Sequence, residues 1–242
     1  MSQNERDFTV LELQARWDKI RVANLYDTLD RMGYGDQCLD LGIRPLFPHQ
    51  HLAGKAVPLR GGRDPRTHED DEAEKARKGE EKTTSAFLSL NDLLSPGAVI
   101  VIDTGGERWS GKFGEMTSWS AKQHGAKGIV LDSYIRDLWG LEVIPDYTVC
   151  ARGTSPIESY KRWRIHEMNV IIAMPGTTTI QVRVAPGDWI VAEADGVIVV
   201  PQEISMEALV KAEEIEAREQ GMREDFAKGM SFEDAYKKWG RA

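Results

Sequence analysis

Three charged side chains stand at the two ends of one predicted helix–strand unit. The segment "GEMTSWSAKQHGAKGIVLDSYIRD" begins with Gly114 and Glu115, and twenty residues after Glu115 it closes on Arg136 and Asp137. Carboxylates are hard oxygen ligands that suit Mg²⁺ or Mn²⁺, directly or through water. A guanidinium offers a planar fork for a bidentate contact with a carboxylate. This combination could bind a 2-oxo acid beside a divalent cation that stabilises an enolate.

The lengths of the predicted elements bring these residues together. A helix over residues 115–125 rises about 15 Å, at about 1.5 Å per residue. A strand over residues 128–132, with one residue beyond it, covers about 16 Å at about 3.3 Å per residue. Only two residues join the two elements, so the strand must run back alongside the helix. We therefore expect Arg136 and Asp137 to lie near residues 114–116.

The start of the helix adds a possible anion site. The first amide N–H groups of a helix lack internal partners and carry the positive end of its dipole. Gly114 would allow a carboxylate or phosphate to approach them closely. A purely structural interpretation stays open, because acidic residues are common in the first turn of helices. An Arg-Asp pair in a loop is also commonly a surface ion pair.

The same stretch resembles the RraA-like family, which includes the divalent-metal-dependent 4-hydroxy-4-methyl-2-oxoglutarate aldolases. The family pattern is an acid, twenty residues and Arg-Asp, as in Glu115 and Arg136-Asp137. The surrounding residues are similar to the family's Gly-Glu-Leu start and its G-x-x-G-x-V-x-D-G-x-x-R-D segment. The resemblance extends over roughly residues 20–202, where five further segments are similar, in order: "LYDTLDRMG", "LAGKAVPL", "PGAVIVID", "ARGTSP" and "VAPGDWIVAEADGVIVVP".

The resemblance implies a role for each position. Asp137 would hold the cation through or beside water, Glu115 would bind water linked to it, and Arg136 would contact the pyruvyl oxygens. The implied substrate-binding residues are Gly114, Glu115, Met116, Thr117 and Arg136, with backbone amides taking the carboxylate. The implied reaction is retro-aldol cleavage of a 4-hydroxy-2-oxo acid. Aldolase members also decarboxylate oxaloacetate, because both reactions pass through a pyruvate enolate.

Other functions stay open beside the lyase. Some members of the family are described as regulators that bind and inhibit a ribonuclease, so a non-catalytic binding protein is the alternative. Methyl transfer is also attached to the family, but the sequence contains no nucleotide-binding glycine pattern.

Two further residues are weaker candidates. In extended aldolase members a C-terminal helix supplies a glutamate to the neighbouring subunit's site, and Glu219 is the candidate for that role here. Arg152, in "ARGTSP", is either a surface charge or a group that orients a distal carboxylate of the substrate.

Strands and helices alternate in the middle of the chain, and strands dominate later, which indicates one α/β domain with a β-rich layer. The resemblance implies a single β/β/α layered domain of the swivelling phosphohistidine-like type, with N-terminal helices. We expect the catalytic domain at 1–204 and a C-terminal helical extension at 205–242. Family members assemble as homotrimers or homohexamers, with sites near subunit contacts.

The element predictions rest on hydrophobic periodicity and turn residues. They are helices within 9–33, a strand at 52–60, a helix at 85–94, a strand at 98–103, a loop at 133–140, a hairpin turn at Asp195-Gly196, a charged helix from Ser205 to about Lys228, and a last short helix capped by Ser231.

Composition narrows the function classes. The net charge of −8 argues against a general nucleic-acid binder. Cys38 and Cys150 show no paired spacing, which fits a reduced compartment. The first residues contain no apolar segment of signal-peptide or membrane-spanning length. We therefore expect a cytoplasmic protein with no membrane or nucleic-acid partner.

Alternative catalytic groups are less favoured. The five histidines, at positions 49, 51, 68, 124 and 166, show no ligand spacing, although His166 is a conceivable proton carrier. A Schiff-base aldolase needs a desolvated lysine. Lys112 and Lys122 stand in polar sequence surroundings, so we disfavour that chemistry.

The chain departs from the family pattern at three places. Ser133 stands where the family usually has glycine, which narrows the conformational freedom of the loop. Residues 159–169 are bulkier and more aromatic, and the charged segment 61–84 is longer. That segment is either a solvated loop with a surface helix or a mobile cover over a site.

Overall fold

The computed structural model describes residues 5–79 and 86–240. Its helices are α1 (Val10–Trp17), α2 (Val22–Arg31), α3 (His68–Lys78), α4 (Ala86–Asn91), α5 (Glu115–Gln123), α6 (Leu138–Glu142), α7 (Ser205–Ala227) and α8 (Phe232–Trp239), with 3₁₀ turns at Glu5–Asp7 and Gln202–Ile204.

Its strands are β1 (Arg44–Pro45), β2 (Leu52–Arg63), β3 (Ala98–Asp103), β4 (Ala126–Leu131), β5 (Tyr134–Ile135), β6 (Thr148–Ala151), β7 (Gly153–Thr154), β8 (Trp163–Met168), β9 (Ile172–Pro175), β10 (Gln181–Val184), β11 (Trp189–Glu193) and β12 (Gly196–Val200).

One twisted sheet organises the molecule, in the order β1-β6-β4-β3-β2-β11-β12, with β8 added to β2. The neighbours β2, β3, β4 and β6 are parallel, so their carboxyl ends meet at one edge. The outer strand β1 lies close to β11 and β12 at the other side, so the sheet nearly closes on itself. This edge of carboxyl ends carries the loops that follow β3 and β4.

Alternating side chains of the central strands build separate cores. Ile100 and Ile102 of β3 point into a cluster that α4, α5 and α6 cover. The alternate residues Val99 and Val101 point to the other face of β3, into a second cluster beneath β9 and β10. This alternation follows from the two-residue period of a strand. A third cluster packs α1, α2 and α7 against β11 and β12 around Trp17.

Most sequence-based elements are confirmed. The mixed α/β class, the helices near the N-terminus, the strand at 98–103, the helix from Glu115 and the hairpin near Asp195 all appear. The helix from Ser205 ends at Ala227, one residue before the predicted Lys228. Ser231 caps α8 by accepting a hydrogen bond from the Asp234 amide.

Several predicted bounds need correction, including the helix at 115–125, which ends at Gln123, and the strand at 128–132, which spans Ala126–Leu131. Residues 133–140 are not a plain loop, because β5 pairs with β7 and α6 begins at Leu138. Leu141 of α6 is fully buried, and this single turn is too short to show a helical period. The strand predicted at 52–60 continues to Arg63, where it pairs with β8.

The charged segment contains a capped helix. Thr67 and Asp70 form a reciprocal capping box at the start of α3, and Gly79 ends it in the left-handed conformation. Residues 80–84 of this segment, and Ser85 of the helix predicted at 85–94, lie outside the described residues. No helix within the described residues is long and apolar enough to cross a membrane.

Candidate active site

Two chain segments run side by side at the carboxyl edge of the sheet. The Lys112 amide donates to the Tyr134 carbonyl over 2.9 Å, and the Arg136 amide donates to the Phe113 carbonyl over 2.9 Å. These bonds place the residue before α5 next to the residue before α6. The expected proximity of residues 114–116 to Arg136 and Asp137 is therefore observed. We call this region the corner: residues 111–117 and 134–137.

Asp137 ties the two helix starts together. Its Oδ2 accepts a hydrogen bond from the Glu115 amide at 3.3 Å and lies 3.5 Å from Arg136 Nε. Asp137 itself adopts a left-handed backbone conformation, with φ 61° and ψ 43°, immediately before α6. Aspartate tolerates this conformation better than most residues. The side chain is about half exposed, so a ligand can reach it.

The Asp137 and Arg136 side chains approach Gly114 closely. Its backbone is extended, with φ −129°, which any residue can adopt. A Cβ at this position would lie 2.3 Å from Asp137 Oδ2 and 3.1 Å from Arg136 Nε. A side chain at this position would therefore force the Asp137 carboxylate to move away from the start of α5.

Two of the three amides at the predicted carboxylate site already donate hydrogen bonds within the chain. The Gly114 amide donates to Thr117 Oγ1 over 3.1 Å, and that hydroxyl donates back to the Gly114 carbonyl over 3.0 Å. The Glu115 amide is held by Asp137. The Met116 amide has no hydrogen-bond acceptor within residues 5–79 and 86–240. An incoming carboxylate would meet the Met116 amide first and would compete with Asp137 for the Glu115 amide.

Glu158 contacts the corner, and sequence reasoning missed it. Its Oε1 lies 3.5 Å from Arg136 Nη2, and both side chains are partly exposed. The Gly111 amide, which donates to the Ile157 carbonyl over 2.8 Å, brings this segment alongside. Nothing in the spacing signals the contact, because Glu158 follows β7 and reaches the corner only through tertiary pairing.

Two carboxylates, those of Glu115 and Asp137, lie at the start of α6. The Glu115 carboxylate packs over α6, so close to Gly140 that a Cβ there would lie 2.1 Å from its Oε2. Asp137 immediately precedes the same helix. Among the described residues, no group of three or more His, Cys, Asp or Glu side chains could hold a metal ion. Two carboxylates alone could hold a cation such as Mg²⁺, which commonly takes one or two carboxylates with water and substrate oxygens.

A cavity of about 160 Å³ opens beside the start of α5, on the side that faces α4. Its wall combines apolar side chains with a few hydroxyl and amide groups: Leu90, Asn91, Phe113, Met116, Thr117, Ser120 and Ala121. The Asn91 side-chain amide donates to Ser120 Oγ over 3.0 Å at this wall. The cavity therefore adjoins the predicted carboxylate site.

The structure places Arg152 and Glu219 in contacts away from the corner. The guanidinium of Arg152 donates to Asp40 Oδ1 over 2.7 Å and to the Asp132 carbonyl over 3.0 Å. Glu219 accepts hydrogen bonds from Arg223 on α7 and from Asn24 on α2. The intramolecular contacts therefore do not join these two residues to Asp137.

The environment of Lys112 differs from the prediction. Its side chain is fully buried and ion-paired with Glu107, and this burial lowers the pKa of the ammonium group. Two of the polar residues near it in the sequence, Glu107 and Ser110, are its buried partners. Lys122, in contrast, is half-buried and donates to the Asp146 carbonyl.

His166 lies outside the corner, on β8. Its Nε2 is 3.9 Å from Asp64 Oδ2, in a cluster of charges that includes Arg66, Asp71 and Arg164. Hydrogen bonds from Arg66 lower the pKa of Asp64 to about 2. The cluster joins the end of β2 to α3 and β8.

Known proteins resemble this chain in sequence and in fold. A protein from Halalkalibacterium halodurans, provisionally named a 4-hydroxy-4-methyl-2-oxoglutarate aldolase, is 35% identical over 144 residues, which cover 58% of this chain and 65% of that protein. The match thus spans slightly less than two thirds of that relative's length.

Two solved structures have the same fold. An uncharacterized protein from Pseudomonas syringae pv. tomato superposes with a TM-score of 0.74 at 23% identity, covering 94% of this chain and 99% of that one. Streptomyces coelicolor RraAS2, described as an unusual member of the RNase ES inhibitor RraA protein family, superposes with a TM-score of 0.69 at 23% identity, covering 88% and 96%.

The family assignment rests on a match that covers most of the chain. Residues 22–199 match the RraA-like family, described as aldolase/RraA. This range contains the corner, its neighbouring cavity and the central sheet. The chain therefore belongs to the RraA-like family.

Proposed function

We propose that this protein is a divalent-metal-dependent lyase that acts on 2-oxo acids. It cleaves the C3–C4 bond of a 4-hydroxy-2-oxo acid, decarboxylates oxaloacetate, or does both, and pyruvate is a product. The observation that carries the proposal is the corner, where Asp137 joins the Glu115 amide and the Arg136 guanidinium in one exposed place. The name of the relative from Halalkalibacterium halodurans supports the same reaction class.

The chain's own residues would divide the work. The Met116 amide and the amides beside it would bind the substrate carboxylate at the positive end of α5. Arg136 would contact the 2-oxo oxygen and neutralise the negative charge that grows there as the C3–C4 bond breaks. The electron pair of that bond passes into the enolate, the 4-hydroxyl proton leaves, and a proton returned to C3 gives pyruvate.

Asp137 and Glu115 would hold Mg²⁺ or Mn²⁺, mainly through water. The cation would supply Lewis-acid polarisation of the substrate oxygens. A water held by the Glu115 carboxylate would accept and return the proton. The cavity beside α5 leaves space for the part of the substrate beyond C3.

Several finer expectations belong to this proposal. We propose a cytoplasmic homotrimer or homohexamer whose layers correspond to the swivelling phosphohistidine-like arrangement. In such an assembly Glu219 would approach a neighbouring subunit's corner, and Arg152 would orient a distal carboxylate only after releasing Asp40.

The experiment is pyruvate release from oxaloacetate and from a series of 4-substituted 4-hydroxy-2-oxo acids, with Mn²⁺ and with EDTA. We expect turnover that EDTA abolishes and that Mn²⁺ or Mg²⁺ restores. Turnover that is unaffected by EDTA, or no turnover of any member of the series, would contradict the proposal.

The alternative is a regulator that binds a ribonuclease or another protein. The observation in its favour is the exposed apolar surface beside the corner, where Trp139 is 88% exposed and Val143 is 67% exposed. This alternative predicts binding without turnover, and it predicts that Asp137→Asn leaves binding unchanged.

A further inference from the structure

Lys112, within the corner, belongs to a buried charged pair. The side chains of Lys112 and Glu107 form an ion pair, and neither has any exposed surface. Lys112 Nζ also donates to the Ser110 carbonyl over 2.8 Å and to Ser133 Oγ at 3.2 Å. The indole ring of Trp163 lies 5.7 Å from the ammonium. The lysine therefore has oxygen partners on two chain segments.

Ser133 connects this pair to the end of β4. Its Oγ donates to the Glu107 carbonyl over 2.6 Å while it accepts from Lys112. The residue is fully buried. A glycine at this position, which the family pattern favours, could make neither bond. The hydroxyl thus joins residues 107–112 to the segment that leads into Arg136 and Asp137.

The rest of the network is also satisfied. Ser110 donates from its hydroxyl to Glu107 Oε1 over 2.8 Å. Thr104, at the end of β3, donates to Asp132 Oδ1 from both its amide and its hydroxyl. The Trp163 indole donates to the Thr104 carbonyl over 3.0 Å. Buried polar networks of this kind restrict the chain to one arrangement when all their members are paired.

Stability alone does not account for a buried ion pair. Desolvation of two charges offsets much of their attraction, and well-packed apolar replacements are often equally stable. The positions of Lys112 and Ser133 in the chain offer a better explanation of the buried pair. Lys112 stands two residues before Gly114, and Ser133 stands four residues before Asp137. The network therefore links the two segments that bring Asp137 Oδ2 to the Glu115 amide.

We propose that Lys112 is a positioning residue for the corner, acting through Glu107 and Ser133. The proposal rests on the proposed function, because it assumes that the placement of Asp137 and Arg136 limits turnover. It assigns no proton transfer to the lysine, whose ammonium group is sealed from solvent.

The test removes both charges at once. In the double variant Glu107→Gln, Lys112→Met no charge is left unpaired, so the fold should survive. The matched control is the double variant Glu5→Gln, Lys55→Met. Lys55 is also a mostly buried lysine, paired with Glu5 beneath the ring of Trp189. It lies at the opposite end of the sheet, since it pairs with Ala98 at the start of β3.

Comparison of the two double variants should separate positioning from stability. We call Glu107→Gln, Lys112→Met the corner double and Glu5→Gln, Lys55→Met the control double. We expect melting temperatures within about 5 °C of wild type for both doubles. The corner double should lose about tenfold or more in kcat/KM for the best 2-oxo acid, because small displacements of catalytic groups are costly. The control double should stay within about twofold. Full activity in a stable corner double would overturn the positioning role.

A second readout does not depend on turnover. Hydrogen exchange should be faster in the corner double at the amides of Lys112 and Arg136, whose bonds join the two segments. Ser133→Ala should produce a smaller change at the same amides, and the control double none. Unchanged exchange there would overturn the inference even if the wild-type protein proved to have no lyase activity. Faster exchange without any lyase activity would support the structural device and reject the proposed function.

Discussion

The carboxylate Oδ2 of Asp137 accepts a hydrogen bond from the backbone amide of Glu115 across 3.3 Å. This contact joins the N-terminal ends of α5 and α6, so both helix starts face one exposed place. It also occupies an amide that the substrate carboxylate would need. Binding of a 2-oxo acid should therefore move Asp137 Oδ2 away from the helix start and make it available for a cation.

Gly114→Ala tests the close packing of the corner. The new Cβ would fall 2.3 Å from Asp137 Oδ2, so the aspartate must move, although the backbone conformation is permitted. We expect a loss of about 100-fold in kcat/KM with little change in melting temperature. Gly62→Ala is the matched control, because its Cβ would meet only the His166 ring, at 3.2 Å. Equal activity of the two variants would argue against a catalytic role for Asp137.

Arg136→Lys and Arg136→Met test the guanidinium. A charged hydrogen bond is worth about 1.5–3 kcal/mol, so Arg136→Met should lower kcat/KM by about 10- to 100-fold. Lysine should recover little of this loss, because it cannot form a planar bidentate contact. Steady-state kinetics with oxaloacetate measures both variants. Recovery of full activity by lysine would show that charge alone suffices.

The pairing of Asp64 with Arg66 predicts a pH-dependent stability. The folded pKa of Asp64 is about 2, below the unfolded value of about 3.9, so the stabilisation is fully present above about pH 4 and lost as the pH falls towards 2. Because Arg66 is more than half exposed, water screens the pair, so Asp64→Asn should cost about 1 kcal/mol at pH 7 and almost nothing near pH 2. Urea unfolding at the two pH values measures the difference. A cost that is independent of pH would exclude the ion pair as its cause.

Polar contacts dock α3 on the sheet. Asp71 pairs with Arg164 of β8, Glu69 accepts a hydrogen bond from Tyr160, and no described side chain of α3 is buried. We expect Arg164→Met to speed hydrogen exchange across residues 68–78, and added salt to do the same in the wild type. Arg162→Met is the control, because Arg162 donates to backbone carbonyls of its own loop. Unchanged exchange in the Arg164 variant would refute electrostatic docking.

Short-range regularities made part of the site predictable. The lengths of a helix and a strand joined by two residues were enough to bring Arg136 and Asp137 back to Glu115. The contacts that could not be predicted depend on tertiary pairing. Glu158 reaches Arg136 from beyond β7, and Lys112 is buried against Glu107 and Ser133, which tertiary contacts bring together. The close approach of Asp137 and Arg136 to Gly114 arises from side-chain packing across the corner, which sequence spacing does not report.

The most direct test of the account is Mn²⁺ binding in the presence of oxalate, a stable analogue of the pyruvate enolate, followed by electron paramagnetic resonance. Asp137→Asn is the decisive variant, since asparagine tolerates the left-handed backbone and can still accept from the Glu115 amide, but it lacks the negative charge. We predict one Mn²⁺ bound per chain in the wild type, binding that oxalate strengthens, and binding at least about tenfold weaker in Asp137→Asn. Equal Mn²⁺ affinity in the two proteins would contradict the assignment of the cation to this corner.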